Sequence, residues 1–272
     1  MNWRAIFAIV RKDLKVVLQN KGVIIPIIMV PLILFGALPW ISAFAPSLIN
    51  LGGTSIDELT TLIQRMPAAL QNELAPYSLE QQTTVFFLVY LLAPMFLIIP
   101  LMVASVIAAD SFAGERERRT LEALLYSPTT DRELFLAKLL SSWLAAIVVS
   151  LAGFLLYAVM ANLAAWPTMK EIFFPNWMWI ILVFWVSPAA AGLGLGTMVL
   201  VSVRAQGFQD AYQTGGAVVL PVLLLLFGQI SGLMYFSIWV VFALGLVLWL
   251  IDAALVWFGS RTFRRGRLIA RL

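Results

Sequence analysis

The chain has 272 residues, 62% of them hydrophobic and 12% charged. A soluble domain is roughly 45–50% apolar and about 25% charged, so this composition, with a mean hydropathy of +0.95, belongs to an integral membrane protein. Cysteine and histidine are both absent, which excludes disulfide frameworks, thiolate chemistry, imidazole metal sites and histidine bases.

Residues 3–20 have the period of an amphipathic helix. Ile6, Val10, Leu14, Val17 and Leu18 recur at helical spacing beside Trp3 and Phe7, and Arg4, Arg11, Lys12 and Lys15 take the other side. Such a helix lies along a membrane surface with its bases toward anionic headgroups. It is a plain surface anchor or an elbow that also touches a cytosolic partner; Asp13, near the apolar edge, is a blemish in either reading. The apolar run after Lys21 is too long for a cleavable signal, and no small-residue cleavage site follows it.

From Lys21 to Asp57 there is no charge. A span needs about 20 apolar residues, so 22–44 is the first crossing, with Pro26, Pro31 and Pro39 inside it. Residues 45–82 are polar and acid-leaning and predict a small helical hairpin outside the bilayer. Ser78 and Gln81 form a capping box that opens the next helix. Further crossings are expected at 83–108, 139–165, 177–203, 214–232 and 236–259. The tail carries Arg261, Arg264, Arg265, Arg267 and Arg271.

Between the second and third crossings lies the one long charged island, 110–138. It holds Asp110, Glu115, Glu117, Glu122, Asp131 and Glu133 against Arg116, Arg118, Arg119, Arg132 and Lys138. Asp110 to Tyr126 reads as one helix or as a helix broken at Gly114. Glu115 is spaced to pair with Arg118 and Arg119 along one side. After Pro128, the run Thr130-Asp-Arg-Glu133 forms a second capping box opening the helix of the third crossing. The predicted unit is a rigid helix-turn-helix rooted in two spans, suited to docking a partner.

Six crossings put both termini on one side, and sixteen of the eighteen Lys and Arg residues then share that face. The positive-inside rule assigns both termini and the island to the cytosol, which accounts for the net charge of +4 by topology rather than by nucleic-acid binding. The expected fold is an all-α integral membrane protein, with an elbow helix over 1–21 and a six-span domain over 22–272. No fixed-period repeat relates its halves.

Chemistry-bearing motifs are few. No Gly-x-x-x-x-Gly-Lys-Ser/Thr loop and no metal-ligand cluster occurs, so the chain is read as no enzyme and as needing no cofactor. Gly192, Gly194 and Gly196 lie inside an apolar span, where close helix packing explains them better than a dinucleotide site. Asp252 is the lone acid within a span. It reaches the interface, pairs with a base of the tail or Arg204, or serves ion coupling.

The run from Gly114 to Pro128, followed by Glu133 and Lys138, resembles the coupling segment of type-2 ABC exporter permeases. Arg11-Lys-Asp-Leu14 with Asn20-Lys21 is similar to their elbow helix, and Arg204 to Gly216 followed by Pro221 to their sodium-extrusion (NatB-like) and drug-efflux branch. Ala137, where that family usually has Gly, departs from the pattern. The resemblance implies a permease subunit without its own ATPase, in the cytoplasmic membrane of a prokaryote. Two such subunits, identical or not, would pair, and separate cytosolic ATP-binding cassette subunits would dock on them. Glu115, Arg118, Arg119, Thr120 and Glu122 would sit in or beside the ATPase groove, flanked by Arg11 and Lys12. Two rivals fit the residues: an ion-coupled carrier or channel relying on Asp252, and a membrane anchor without transport. For the substrate, the apolar spans suit a lipid-like or hydrophobic compound, whereas the branch implies sodium or drugs.

Overall fold

The computed structural model describes residues 2–43, 61, 66–118, 130–205 and 207–262. Eight helices organise them: α1 (Trp3–Gln19), α2 (Lys21–Ala43), α3 (Ala68–Leu74), α4 (Leu79–Gly114), α5 (Asp131–Met169), α6 (Trp177–Ser202), α7 (Phe208–Ile230) and α8 (Ile238–Thr262). No strand occurs among the described residues. All but α1 and α3 are long and apolar enough to cross a membrane, giving the six expected spans. Of the expected outer hairpin only α3 and its flanks are described; its first part, over Leu59, Leu62 and Ile63, lies outside the described residues.

Short polar side chains start the helices. Asn2 accepts from Ala5 N at 3.3 Å, Asn20 from Gly22 N at 3.1 Å and Asn176 from Trp179 N at 3.1 Å, each satisfying an orphan donor. Both predicted capping boxes are present, Ser78 with Gln81 and Thr130 with Glu133. The second box explains why α5 begins at Asp131, well before the apolar run of the third crossing. The island's ends are therefore continuations of the spans themselves.

α4 and α6 form the centre of the bundle: 72% and 61% of their most apolar stretches are buried, against 17% for α7 and for α8. Glycines bring these helices together. A β-carbon on Gly194 would lie 2.4 Å from the Leu101 carbonyl oxygen of α4, and one on Gly196 would lie 2.8 Å from Leu255 Cβ of α8. The small-residue stripe is a packing surface, as the span context implied.

At the α3 end of the bundle, six aromatic rings from four helices and one loop interlock: Phe35, Phe96, Phe154, Tyr157, Phe174 and Trp179. Tyr157 stacks on Trp179 at 4.9 Å, and Phe96 meets Trp179 edge-on at 5.4 Å. The cluster also repairs a defect. α4 winds as a π-helix over Phe86–Leu91, and Pro94 has no N–H to give the carbonyl of Tyr90. Tyr157 Oη donates to Leu88 O at 2.5 Å and Trp179 Nε1 to Val89 O at 2.8 Å. With its amide turned to suit both neighbours, Gln229 of α7 donates to Tyr90 O at 2.9 Å and accepts from Phe236 N at 3.3 Å. In hydrocarbon such carbonyls must find donors within the protein.

Gly194→Ala forces a methyl against a backbone oxygen that cannot swing away. It is expected to destabilise the detergent-solubilised protein by about 1–3 kcal/mol, read as a lower thermal midpoint. A midpoint equal to wild type would show that α4 and α6 pack less closely than described.

Candidate functional site

The charged residues at the opposite end of the bundle are organised by α1. Its inward face places Ile6, Ile9 and Val10 on Leu134 and Ala137 of α5. Asp13 continues that face and is buried, with Oδ2 accepting from Ser111 Oγ and from Ser141 Oγ, each at 3.3 Å. The apparent blemish is thus the place where α1 meets both α4 and α5.

Glu115 lies at the centre. It is 4% exposed, and its two oxygens take one lysine each: Lys12 Nζ of α1 at 2.6 Å and Lys138 Nζ of α5 at 2.5 Å. Lys12 also reaches Asp13 at 2.9 Å. Lys138 is wholly buried; it donates to Ser111 O at 2.7 Å and Ser111 Oγ at 3.0 Å, and lies over the Phe112 ring. Two further ties flank this joint. Glu133 Oε1 accepts from Asn2 N at 2.6 Å, fixing the start of α1 to the start of α5. Asp110 Oδ1 accepts from Asn20 Nδ2 at 3.1 Å and from Arg118 Nη1 at 2.9 Å, fixing the bend between α1 and α2 to α4. The helix α1 is therefore bolted at its start, middle and end to the two helices that bracket the island.

The electrostatics follow from burial and pairing. Burial pushes the Glu115 carboxyl up, but Lys138 and Lys12 outweigh it and leave the group below its ordinary value. Burial pulls the Lys12 ammonium down; its hydrogen bonds to Glu115 and Asp13 overcome that and leave it raised. The Arg118 guanidinium is raised by its bond to Asp110. All three groups stay charged at neutral pH.

Glu115 takes partners farther along the chain than the expected Arg118 and Arg119, the second of which lies outside the described residues. The ion pairs it shows are with Lys12 and Lys138, and Arg118 turns to Asp110. Glu115 is thus an internal brace, whereas Arg118 and Arg11 lie exposed beside it. Arg119, Thr120 and Glu122 lie outside the described residues. Glu117 caps α7 from the side, accepting from Phe208 N at 2.9 Å. With Gly207, Gln209, Asp210 and Gln213 it lines an open cleft of about 390 Å³. Asp252 stands apart, buried in α8. Among the described residues, Arg204 included, neither of its oxygens has a hydrogen-bond partner, and the tail beyond Thr262 lies outside the description.

Sequence reasoning missed the roles of Asp13, Ser111, Asn20 and Lys138. The usable signal was an acid on the apolar face of one helix and a base on the apolar stretch of another, each too costly to bury without a partner.

The sequence profile of the family described as ABC-2 family transporter protein matches residues 7–237, and the chain belongs to that family. It is an ABC-2 type permease, a multi-pass membrane component of transport. The matched region contains the Lys12–Glu115–Lys138 joint. No curated protein and no solved structure matches the chain.

Removing Glu115 strands a buried lysine. Glu115→Leu is expected to cost about 3–5 kcal/mol of stability, and adding Lys138→Met to restore most of it, since an apolar replacement of the whole pair is close to neutral. Equal thermal midpoints for wild type and Glu115→Leu in detergent would contradict the joint. The depressed carboxyl also sets a pH dependence. Its stabilising contribution is complete above the ordinary value of 4.5 and is lost as pH falls through the lower folded value. Acid titration of the midpoint should show that loss in wild type and a smaller one in Glu115→Gln.

Proposed function

We propose that this chain is the permease subunit of an exporter driven by ATP, hydrolysed on separate cytosolic ATP-binding cassette subunits. The observation that carries the reading is the buried joint. It unites α1 with α4 and α5 at the root of the charged island, so a partner pressing on the island would move both spans and the surface helix together. Family membership supplies the class of partner. A six-span topology with sixteen of the eighteen Lys and Arg residues on the side of the island and both termini supports a cytosolic assignment for them.

In this reading α1 is the elbow and 110–138 the coupling segment. Arg11, Arg118, Arg119, Thr120 and Glu122 form the docking face. Glu115 and Lys12 are positioning residues behind it, holding the helix that presents the face. Closure of the cassettes around ATP tilts α4 and α5, and the substrate path opens alternately to the two sides between paired protomers. Charge complementarity on such a face fixes register and partner choice more than raw affinity.

The test is copurification. When the chain is expressed with the ATPase encoded beside it, the ATPase should come down with the permease in mild detergent. Arg11→Glu with Arg119→Glu should cut its recovery by about tenfold or more, as expected for reversed charges at a docking rim, and leave permease yield unchanged. An ATPase that never associates, or that binds the double variant as well as wild type, would contradict the proposal.

A further inference from the structure

The carboxylate of Asp252 is 6% exposed and among the described residues accepts no hydrogen bond. Its lodging is specific. It lies against Gly192 of α6, where a β-carbon would come within 2.2 Å of Oδ2, so only glycine leaves room for it. It opens on a cleft of about 240 Å³ between α5, α6 and α8. The rest of the lining is apolar, including Leu139, Trp143, Leu195, Val199 and Trp249. Both indole N–H groups are already engaged, Trp143 with Pro188 O at 2.9 Å and Trp249 with Trp185 O at 3.2 Å. Neither indole N–H is therefore free to donate into the cleft. Lys138, the one base on this stretch of α5, is bonded to Glu115 and Ser111.

A carboxyl buried in such surroundings either takes up a proton or calls for a counter-charge. A hard metal cation is a poor fit, because it takes several oxygen ligands and the side chains lining this cleft offer only the two oxygens of Asp252. A proton would neutralise the acid but would leave the cleft and its two tryptophans without a role. An organic cation uses every feature: its charge meets the carboxylate, its substituents meet hydrocarbon, and indole faces attract cations. The volume is just below the roughly 300–1,000 Å³ of drug-sized sites, so the ligand is small.

We propose that the cleft between α5, α6 and α8 binds a small hydrophobic ammonium ion, with Asp252 as its counter-ion. The site goes beyond the coupling function and does not depend on it, since binding needs no ATPase.

The probe is radiolabelled benzyltriethylammonium, dialysed to equilibrium against the full-length chain in a non-ionic maltoside detergent, with protein-free micelles subtracted. Wild type is expected to show one saturable site per chain. Asp252→Asn should bind at least about tenfold more weakly, with loss of the charge partner; it removes an uncompensated buried charge, so folding is not put at risk. Gly192→Ala, which keeps the charge but displaces it, should also weaken binding. The neutral carbon isostere should compete at least about tenfold less well than the unlabelled ammonium, because it lacks the charge that the site selects. Absence of saturable binding, equal binding by Asp252→Asn, or equal competition by the isostere would each overturn the proposal. Displacement by sodium but not by the same concentration of choline would also overturn it, assigning the acid to a hard cation. None of these outcomes bears on whether an ATPase copurifies.

Discussion

A carboxylate held between two lysines, all three recruited from different helices, is the constraint on which one whole end of this molecule depends. Glu115 sits on the turn that continues α4, Lys12 on α1 and Lys138 on α5. Taking such charges from water is costly, and pairing in low dielectric roughly offsets the cost only while every member is present. The gain is therefore in register more than in net stability. A slide of α1 along α5 would preserve the greasy contacts of Ile6, Ile9 and Val10 but would strand a buried charge. Asn2–Glu133 and Asn20–Asp110 repeat that condition at either end of α1.

The other end of the bundle is fixed by different means. There the interlocking rings of Phe96, Tyr157 and Trp179 pack the spans, Tyr157 and Trp179 donate to carbonyls of the π-turn of α4, and Gln229 takes the Tyr90 carbonyl that Pro94 sets free. Directional hydrogen bonds from otherwise apolar residues let α4 carry an irregular backbone at membrane depth. Between these two ends, α4 and α6 approach through Gly194. The outer faces of α7 and α8 remain exposed, with Leu224, Phe227, Trp239 and Leu250 pointing away from the protein, as suits surfaces that meet lipid or a second protomer.

Much of this was legible in the chain itself. Six spans follow from unbroken apolar runs, and two helix starts follow from Ser78 with Gln81 and Thr130 with Glu133, because capping is a local matter of a few residues. The packing role of Gly192, Gly194 and Gly196 follows from their apolar setting. The joint was not legible, because its members are separated by 103 and 23 residues and local spacing offers Glu115 nearer bases. Helical periodicity pairs Glu115 with Arg118; tertiary contact gives it Lys12 and Lys138. Asp13 is the instructive case. An acid on the apolar side of an amphipathic helix is an imperfection for a helix lying on lipid, yet a requirement for one packed against Ser111 and Ser141.

The joint gives the ABC-2 permease a braced root for its charged segment, which is what the proposed force transmission from a cytosolic partner demands. Its most direct test is hydrogen exchange followed by mass spectrometry on wild type and on Glu115→Gln in the same detergent. The account predicts that amides across α1 and the first turns of α5 lose protection together in the variant, while those of α6 around Gly194 do not change. Unchanged protection along α1 in the variant would contradict it, leaving the apolar face of that helix sufficient to hold it in place.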